Sequence, residues 1–170
     1  MSKTPEIKVM PTQTVLEIAA EVPQWQVPKL LRQSLATIAE AVAESDNEKA
    51  GPPYAQFIGM DWDTVLNEGV LRQFIGLFRR RQKLQIGIPV ARNQSSQGDV
   101  TCYSLEPGRC VVMTHLGPHH LVINTYREIF EWSRQHDVAL QPRALEIYVS
   151  DPGETKPADL ETLVAIPLLG

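Results

Sequence analysis

The sequence is poor in several residue types that mark specialised proteins. It has two cysteines, Cys102 and Cys110, flanking a predicted hairpin turn at Pro107-Gly108 in a register that does not set one thiol opposite the other. We therefore expect no disulfide, and nothing points to an oxidising compartment. No apolar run approaches the length of a membrane span, and the first residues lack the apolar core of a signal peptide. A cytoplasmic protein with no membrane association is expected.

Positive charge and glycine are also scarce. Lys and Arg number 16 against 20 Asp and Glu, giving a formal net charge of −4, whereas a nucleic-acid-binding domain usually presents a basic face. The ten glycines form no phosphate-cradling loop, and no serine lies in a nucleophile elbow. We expect no direct DNA binding, no cofactor and no nucleophilic triad. The 43% of apolar and 21% of charged residues are typical of a soluble globular chain.

The order of predicted elements repeats along the chain. Strand, strand, helix, strand and strand occupy about residues 6–90 and again about residues 100–168, with a polar linker between them. The pattern predicts a single α+β domain of duplicated β-β-α-β-β units. The predicted strands and helices are Ile7–Val9, Thr14–Val22, a helix to about Ala43, Tyr54–Gly59, Leu84–Val90, a hairpin of Val100–Leu105 and Arg109–His115, a helix after Pro118, a strand at Ala144–Pro152 and a last strand at Leu163–Pro167.

One segment, residues 61–83, interrupts the first repeat between its third and fourth strands. Apolar residues at helical spacing predict an inserted helix there, and its last turn, Arg79–Lys83, is basic. Positive charge at a helix C-terminus is favourable and is usually a solvated surface. The alternative is a patch that binds an anion or nucleic acid, although it lacks interleaved aromatic residues.

The strand Ala144–Pro152 is the most informative segment. Leu145 and Ile147 alternate with Glu146 and Tyr148, so the carboxylate and the phenol share one face of an otherwise apolar strand. An unpaired buried carboxylate costs several kcal/mol or becomes neutral. Glu146 therefore needs a partner, a water-filled pocket or full exposure.

Three segments of the second half resemble the GyrI-like family, which includes effector-binding domains of some AraC-type and MerR-type regulators. They are Gly117-Pro118-His119, Leu145–Pro152 and Asp159–Leu168. In the first half, Gly51–Tyr54 and Ile86–Val90 match less distinctly. The resemblance implies two units about a pseudo-twofold axis, a curved antiparallel sheet braced by two helices, and a central ligand groove.

The resemblance also implies roles for particular residues. Glu146 matches the pocket carboxylate that pairs with cationic or polar aromatic compounds in multidrug-binding members of the family, and Tyr148 is similar to the accompanying aromatic residue. The sequence departs from the family at His119, where tyrosine is common. The inserted segment is longer than the usual connection, so the resemblance does not define the wall and the mouth of the groove.

Further side chains are candidates for the groove. Aromatic rings around a carboxylate suit a flat cation, although each ring is equally compatible with ordinary packing. Glu17 is either a second pocket acid or part of a solvated face, and His119 is a pocket or helix-start residue. His115, His119 and His120 lack a third ligand at suitable spacing, so no metal site is expected. The aromatic candidates are Tyr54, Trp25, Trp62 and Tyr103.

Three functions fit this pattern. The first is a stand-alone small-molecule-binding protein for sensing or sequestration, since the duplicated unit leaves no room for a helix-turn-helix domain. The second is a hydrolase of reactive xenobiotics, as some GyrI-like proteins hydrolyse cyclopropane-containing toxins, with Glu146 as general base and Tyr148 or another tyrosine as acid. The third is a protein-binding modulator of the gyrase-inhibitor type; a protein partner or a homodimer is left open.

Overall fold

The computed structural model describes residues 3–62 and 81–170. Within these residues, eight strands and two long helices follow one another in the order predicted for two β-β-α-β-β units. The first unit consists of β1 (Glu6–Met10), β2 (Gln13–Pro23), α1 (Val27–Glu44), β3 (Tyr54–Ile58) and β4 (Arg81–Pro89). The second consists of β5 (Thr101–Leu105), β6 (Gly108–Leu116), α2 (Val122–Gln135), β7 (Arg143–Tyr148) and β8 (Glu161–Pro167).

All eight strands belong to one antiparallel sheet with the order β1-β6-β8-β7-β3-β4-β2-β5. When each strand is replaced by its counterpart in the other unit, the same order results, read from the opposite edge of the sheet. A pseudo-twofold axis requires this relation. The axis lies between β3 and β7, where Tyr54 pairs with Ile147 and Ala55 pairs with Glu146. The fold class predicted from the sequence is confirmed, and the informative strand lies at the centre of the sheet.

The predicted hairpin of Val100–Leu105 and Arg109–His115 is wrong. β5 pairs with β2, and β6 pairs with β1 and β8. The first strand of each unit therefore completes the sheet of the other unit. A short Pro-Gly connection is compatible with both arrangements, because it shows only that the chain changes direction and does not show which strands become partners. Both cysteines are nevertheless free.

The sheet curls so that one of its faces is enclosed. Val15 and Leu105, from one end of the sheet, pack in the same apolar cluster as Cys110 and Val112 from the other end. The opposite face carries the helices, with α1 packed over β2 and β4 and α2 packed over β6 and β8. Strand alternation sends neighbouring residues to these two faces, so Leu145 lies inside the curl and the next residue lies on the helix side.

Part of the predicted inserted helix is also corrected. Arg81–Lys83, predicted as its basic last turn, form the start of β4 and pair with the end of β2. There Arg81 Nε lies 3.1 Å from a carboxylate oxygen of Glu21. The positive charge of Arg81 is therefore paired with an acid on the neighbouring strand and does not lie at the C-terminus of a helix. The rest of the predicted helix, residues 63–80, lies outside the described residues. Neither α1 nor α2 has the length and apolar character needed to cross a bilayer.

Candidate functional site

A groove of about 610 Å³ lies on the helix side of the sheet. One wall is α1, and the other is the turn before α2 together with the end of β7 and the loop that follows it. The residues that define it include Leu31 and Leu35 of α1, Pro52 and Pro53 of the loop before β3, and His119, Tyr148 and Asp151 of the second unit. Its size is within the range of small-molecule sites.

Glu146 lies beneath this groove and is 3% exposed. The Tyr126 hydroxyl donates to its Oε1 atom at 2.8 Å, and the Tyr148 hydroxyl donates to Oε2 at 3.3 Å. His119 Nε2 also lies 3.3 Å from Oε2 and forms an ion pair when the imidazole is protonated. Opposite Glu146 on the neighbouring strand is Ala55, which is fully buried in an apolar cluster that Tyr148 packs against.

Burial dominates the electrostatics of this cluster. Loss of solvent raises the pKa of the Glu146 carboxyl, while His119, the two tyrosine hydroxyls and His115 oppose the rise. Burial and the nearby carboxylate raise the pKa of Tyr126 and Tyr148 well above the ordinary value of 10.0. Both phenols therefore keep their protons and act as fixed hydrogen-bond donors.

Access to the carboxylate runs past two rings. Tyr148 is half-buried, and the His119 side chain is 49% exposed. Their ring centroids are 5.8 Å apart in an edge-to-face arrangement, and both rings line the groove. A ligand in the groove thus meets these rings first and the acid behind them.

Tyr126 is the site residue that the sequence analysis missed. Helical spacing puts Tyr126 on the apolar face of α2, and its ring packs in the cluster beneath this helix. The Trp62 ring packs against the Tyr126 ring, with the two centroids 5.8 Å apart. The Trp62 indole N–H donates to the Gln141 carbonyl at 3.0 Å. The signal that points to Tyr126 is general: a buried tyrosine hydroxyl usually has a hydrogen-bond partner.

Glu17, Tyr54 and Tyr103 form a second cluster, on the enclosed face of the sheet. Glu17 is 2% exposed, so the solvated alternative is wrong. Its Oε2 atom accepts from the hydroxyls of Tyr54 at 2.7 Å and Tyr103 at 2.5 Å. Burial raises the pKa of Glu17, and hydrogen bonds from the two tyrosines and Gln85 oppose the rise. A separate apolar cavity of about 190 Å³ borders Tyr54 on this face.

Gly87 makes the second cluster possible. It lies on β4 between Glu17 of β2 and Tyr54 of β3 and is paired with both. A Cβ atom at this position would lie 2.5 Å from the Tyr54 ring and hydroxyl. The tyrosine reaches the acid across the middle strand only because this residue has no side chain.

The remaining candidates lie elsewhere. Trp25 is 54% exposed in the short helical turn Gln24–Gln26 and is not among the groove residues. His115 is buried, with its ring nitrogens 2.9 Å from Thr125 Oγ1 and 3.2 Å from the Pro118 carbonyl oxygen. In the described ranges, His, Cys, Asp and Glu side chains do not gather into groups of three or more suited to a metal ion. The structure thus brings Glu146, Tyr148 and His119 together, without Trp25 or Trp62.

Solved structures share this fold at low sequence identity. The C-terminal domain of EcmrR is 16% identical with a TM-score of 0.75 and 99% of each chain covered. A hydrolase from Listeria innocua is 15% identical with a TM-score of 0.61, covering 99% of this chain and 93% of that one. SAV2435 bound to tetraphenylphosphonium is 12% identical with a TM-score of 0.62, covering 98% and 94%.

Sequence comparison identifies the family. No curated protein matches the chain. The family model of the GyrI-like small molecule binding domain matches residues 77–169, which include the Gly117-Pro118-His119 turn and the whole of β7. The match spans more than half of the chain, and the observed sheet and helices agree with it. The chain belongs to the GyrI-like small molecule binding domain family.

Proposed function

We propose that the protein binds cationic or polar aromatic small molecules in the groove, with Glu146 as the anchor. The observation that carries this proposal is a buried carboxylate that accepts from two tyrosine hydroxyls and lies behind Tyr148 and His119, the two rings that line the groove. One structural neighbour is bound to tetraphenylphosphonium, an aromatic cation. That ligand supports the same class of compound for this chain.

The physical argument concerns the energy of the buried acid. Removing a carboxylate from water costs several kcal/mol unless a partner compensates. A ligand cation beside Glu146 supplies that compensation in a region where little water screens the attraction. Tyr148 adds a ring face for stacking or for a cation–π contact. Leucine and proline side chains line much of the groove, together with Arg32, Lys49, Asp151 and Glu161 on its walls. Apolar surface beside a buried acid favours a flat or bulky organic cation over a small hydrated ion.

Sensing or sequestration is the role that fits such a groove. Both roles require binding without chemical change of the ligand. The EcmrR C-terminal domain, which shares the fold, is one domain of a larger protein, and this supports sensing passed on to a partner. Sequestration requires only affinity for the ligand, so the affinity of the groove is the first quantity to measure.

The test compares two ligands on two variants. Tetraphenylphosphonium and the uncharged triphenylphosphine oxide are titrated into wild type, Glu146→Gln and the control Glu161→Gln, which changes an acid on the groove rim. We expect Glu146→Gln to weaken the cation at least about tenfold, or about 1.4 kcal/mol, and to leave the uncharged ligand nearly unchanged. Calorimetry and thermal shift both report the change. Equal loss in both glutamine variants, or no loss in either, contradicts the proposal.

A hydrolase is the second candidate, and the contacts of one oxygen atom favour it. Glu146 Oε2 lies 3.3 Å from both the Tyr148 hydroxyl and His119 Nε2. As a general base, Glu146 takes a proton from water and the hydroxide attacks the electrophile; Glu146 then passes that proton to the leaving group, to which the Tyr148 hydroxyl donates a hydrogen bond. One structural neighbour is a hydrolase.

The test of this candidate uses a cyclopropane-containing electrophile with product analysis. Turnover that is lost in Glu146→Gln and falls about a hundredfold in Tyr148→Phe supports hydrolysis. Turnover that never exceeds the rate in buffer excludes this candidate for the compound tested and leaves the binding proposal intact.

A further inference from the structure

His119 occupies a fixed position at the mouth of the site. It begins the short helical turn His119–Leu121, two residues after Gly117, whose φ of +114° suits glycine. The Gly117 N–H donates to the Leu160 carbonyl at 2.8 Å, and the Leu121 N–H donates to the Pro118 carbonyl at 2.9 Å. The backbone thereby holds the imidazole over Glu146.

His119 also differs in kind from the other partners of the carboxylate. Tyr126 and Tyr148 are neutral donors with raised pKa values, whereas a histidine gains a positive charge within the range of about pH 5 to 8. The imidazole faces Oε2 of Glu146, and of the three partners its side chain is the most exposed to the groove. A ligand cation that approaches Glu146 from the groove therefore meets this imidazole first.

We propose that His119 is the specificity-determining residue of the groove, acting as an internal counter-ion that exchanges with the ligand cation. When the imidazole is protonated, the Glu146–His119 pair is neutral overall and the site loses its preference for cations. When the imidazole is neutral, the carboxylate is available to a cationic ligand. Binding of a permanent cation is therefore coupled to release of a proton. This inference rests on the proposed function, because it assumes that Glu146 is the anchor.

Other charged and titratable groups surround the pair and define the controls. His115 contacts Thr125 and Pro118 through its ring nitrogens and acts on Glu146 only through its charge. The next residue, His120, is an exposed histidine in the same turn and has the same chemistry without the contact to Glu146. The remaining such groups around the carboxylate and the described groove are Tyr126, Tyr148, Arg32, Lys49, Asp151 and Glu161.

The experiment measures tetraphenylphosphonium affinity between about pH 5.5 and pH 7.5, together with the imidazole NMR signal of His119. Competition between the imidazole proton and the cation should make binding several-fold weaker at the acid end of this range, where more of the imidazole is protonated. In wild type, the His119 imidazole should titrate at lower pH when the cation is bound. The uncharged triphenylphosphine oxide should bind equally well at both ends of the range.

Three variants separate this inference from other sources of pH dependence. His119→Lys places a permanent charge beside Glu146 and should weaken the cation at least about tenfold even at pH 7.5, while the uncharged ligand still binds. His119→Gln should bind the cation more tightly than wild type at pH 5.5. The control His120→Gln should match wild type.

The outcomes separate the inference from the proposed function. A His119 titration that does not move when the cation binds overturns the inference, and so does a His119→Lys variant with wild-type affinity. In both cases, a loss of cation binding in Glu146→Gln still supports the proposed function. If the cation binds neither wild type nor His119→Gln at any pH, the proposed function fails and the inference fails with it.

Discussion

The two buried acids, Glu17 and Glu146, are alike in chemistry and different in access. Each lies in the sheet with less than a twentieth of its surface exposed, each accepts from two tyrosine hydroxyls, and burial raises the pKa of each. Glu17 faces the enclosed side of the curl. Glu146 faces a groove and has an exposed imidazole as a third partner. A buried acid with a raised pKa is therefore not enough to mark a binding site. The acid must also lie on the side of the sheet that a ligand can reach.

The two clusters also join different parts of the fold. The Glu17 cluster crosses β3, β4 and β2 and extends to Tyr103 on β5, so it connects strands of both units. The Glu146 cluster joins β7 to α2 through Tyr126. We expect changes in the first cluster to affect stability alone and changes in the second to affect stability and binding together.

The largest effect is expected from Gly87→Ala. The new Cβ atom would lie 2.5 Å from the Tyr54 ring, so the ring must move and the bond to Glu17 breaks. Overpacking and an under-satisfied buried acid together cost roughly 3 kcal/mol. Urea denaturation measures the loss. Tyr54→Ala in the Gly87→Ala background should cost less than Tyr54→Ala alone; strictly additive losses would contradict the steric explanation.

Removing one hydroxyl from each cluster sharpens the comparison. Tyr54→Phe and Tyr126→Phe each deprive a buried carboxylate of one donor and should cost about 2 kcal/mol of unfolding free energy. Tyr126→Phe should also change tetraphenylphosphonium affinity, whereas Tyr54→Phe should leave it unchanged, as calorimetry can show. An equal effect of both variants on affinity would mean that the two clusters are coupled across the sheet.

The pH dependence of stability should be similar for the two acids. A pKa that is higher in the folded state than in the unfolded chain stabilises the fold below the ordinary value of 4.5, and this contribution is lost as pH rises through the folded pKa. Glu17→Gln and Glu146→Gln should each flatten the decline in unfolding free energy above pH 4.5. Denaturation curves collected across this range test the sign, and a steeper decline in either variant would contradict it.

The smallest effect is expected at Trp25. Its side chain is mostly exposed, so Trp25→Ala should change unfolding free energy by less than about 0.5 kcal/mol and leave ligand affinity unchanged. Trp62→Leu provides the contrast, because that ring packs against Tyr126 and Phe130 and should reduce stability. A loss of affinity in Trp25→Ala would place this residue in the binding site after all.

The sequence predicts features that depend on neighbouring residues and fails for features that depend on residues far apart in the chain. The alternation around Glu146 and the apolar spacing of α1 are local periodicities, and both led to correct elements, although the strand predicted to reach Pro152 ends at Tyr148. The partners of Glu146 and Glu17 lie on distant segments, so neither Tyr126 nor the route of Tyr54 over Gly87 follows from spacing. The exchange of β1 and β5 was missed for the same reason, because a short connection carries no information about pairing across the sheet.

The exchanged first strands also have a consequence for folding. Glu6 pairs with Val112 and Gln13 with Leu105, so neither half has its full sheet until both halves have been synthesised. Contacts this distant in sequence slow folding, because the entropy of closing long loops must be lost before the contacts form. A half-length chain would expose unpaired strand edges. The duplicated chain thus resembles a strand-swapped dimer whose two halves are joined covalently, since each half supplies an outer strand to the sheet of the other.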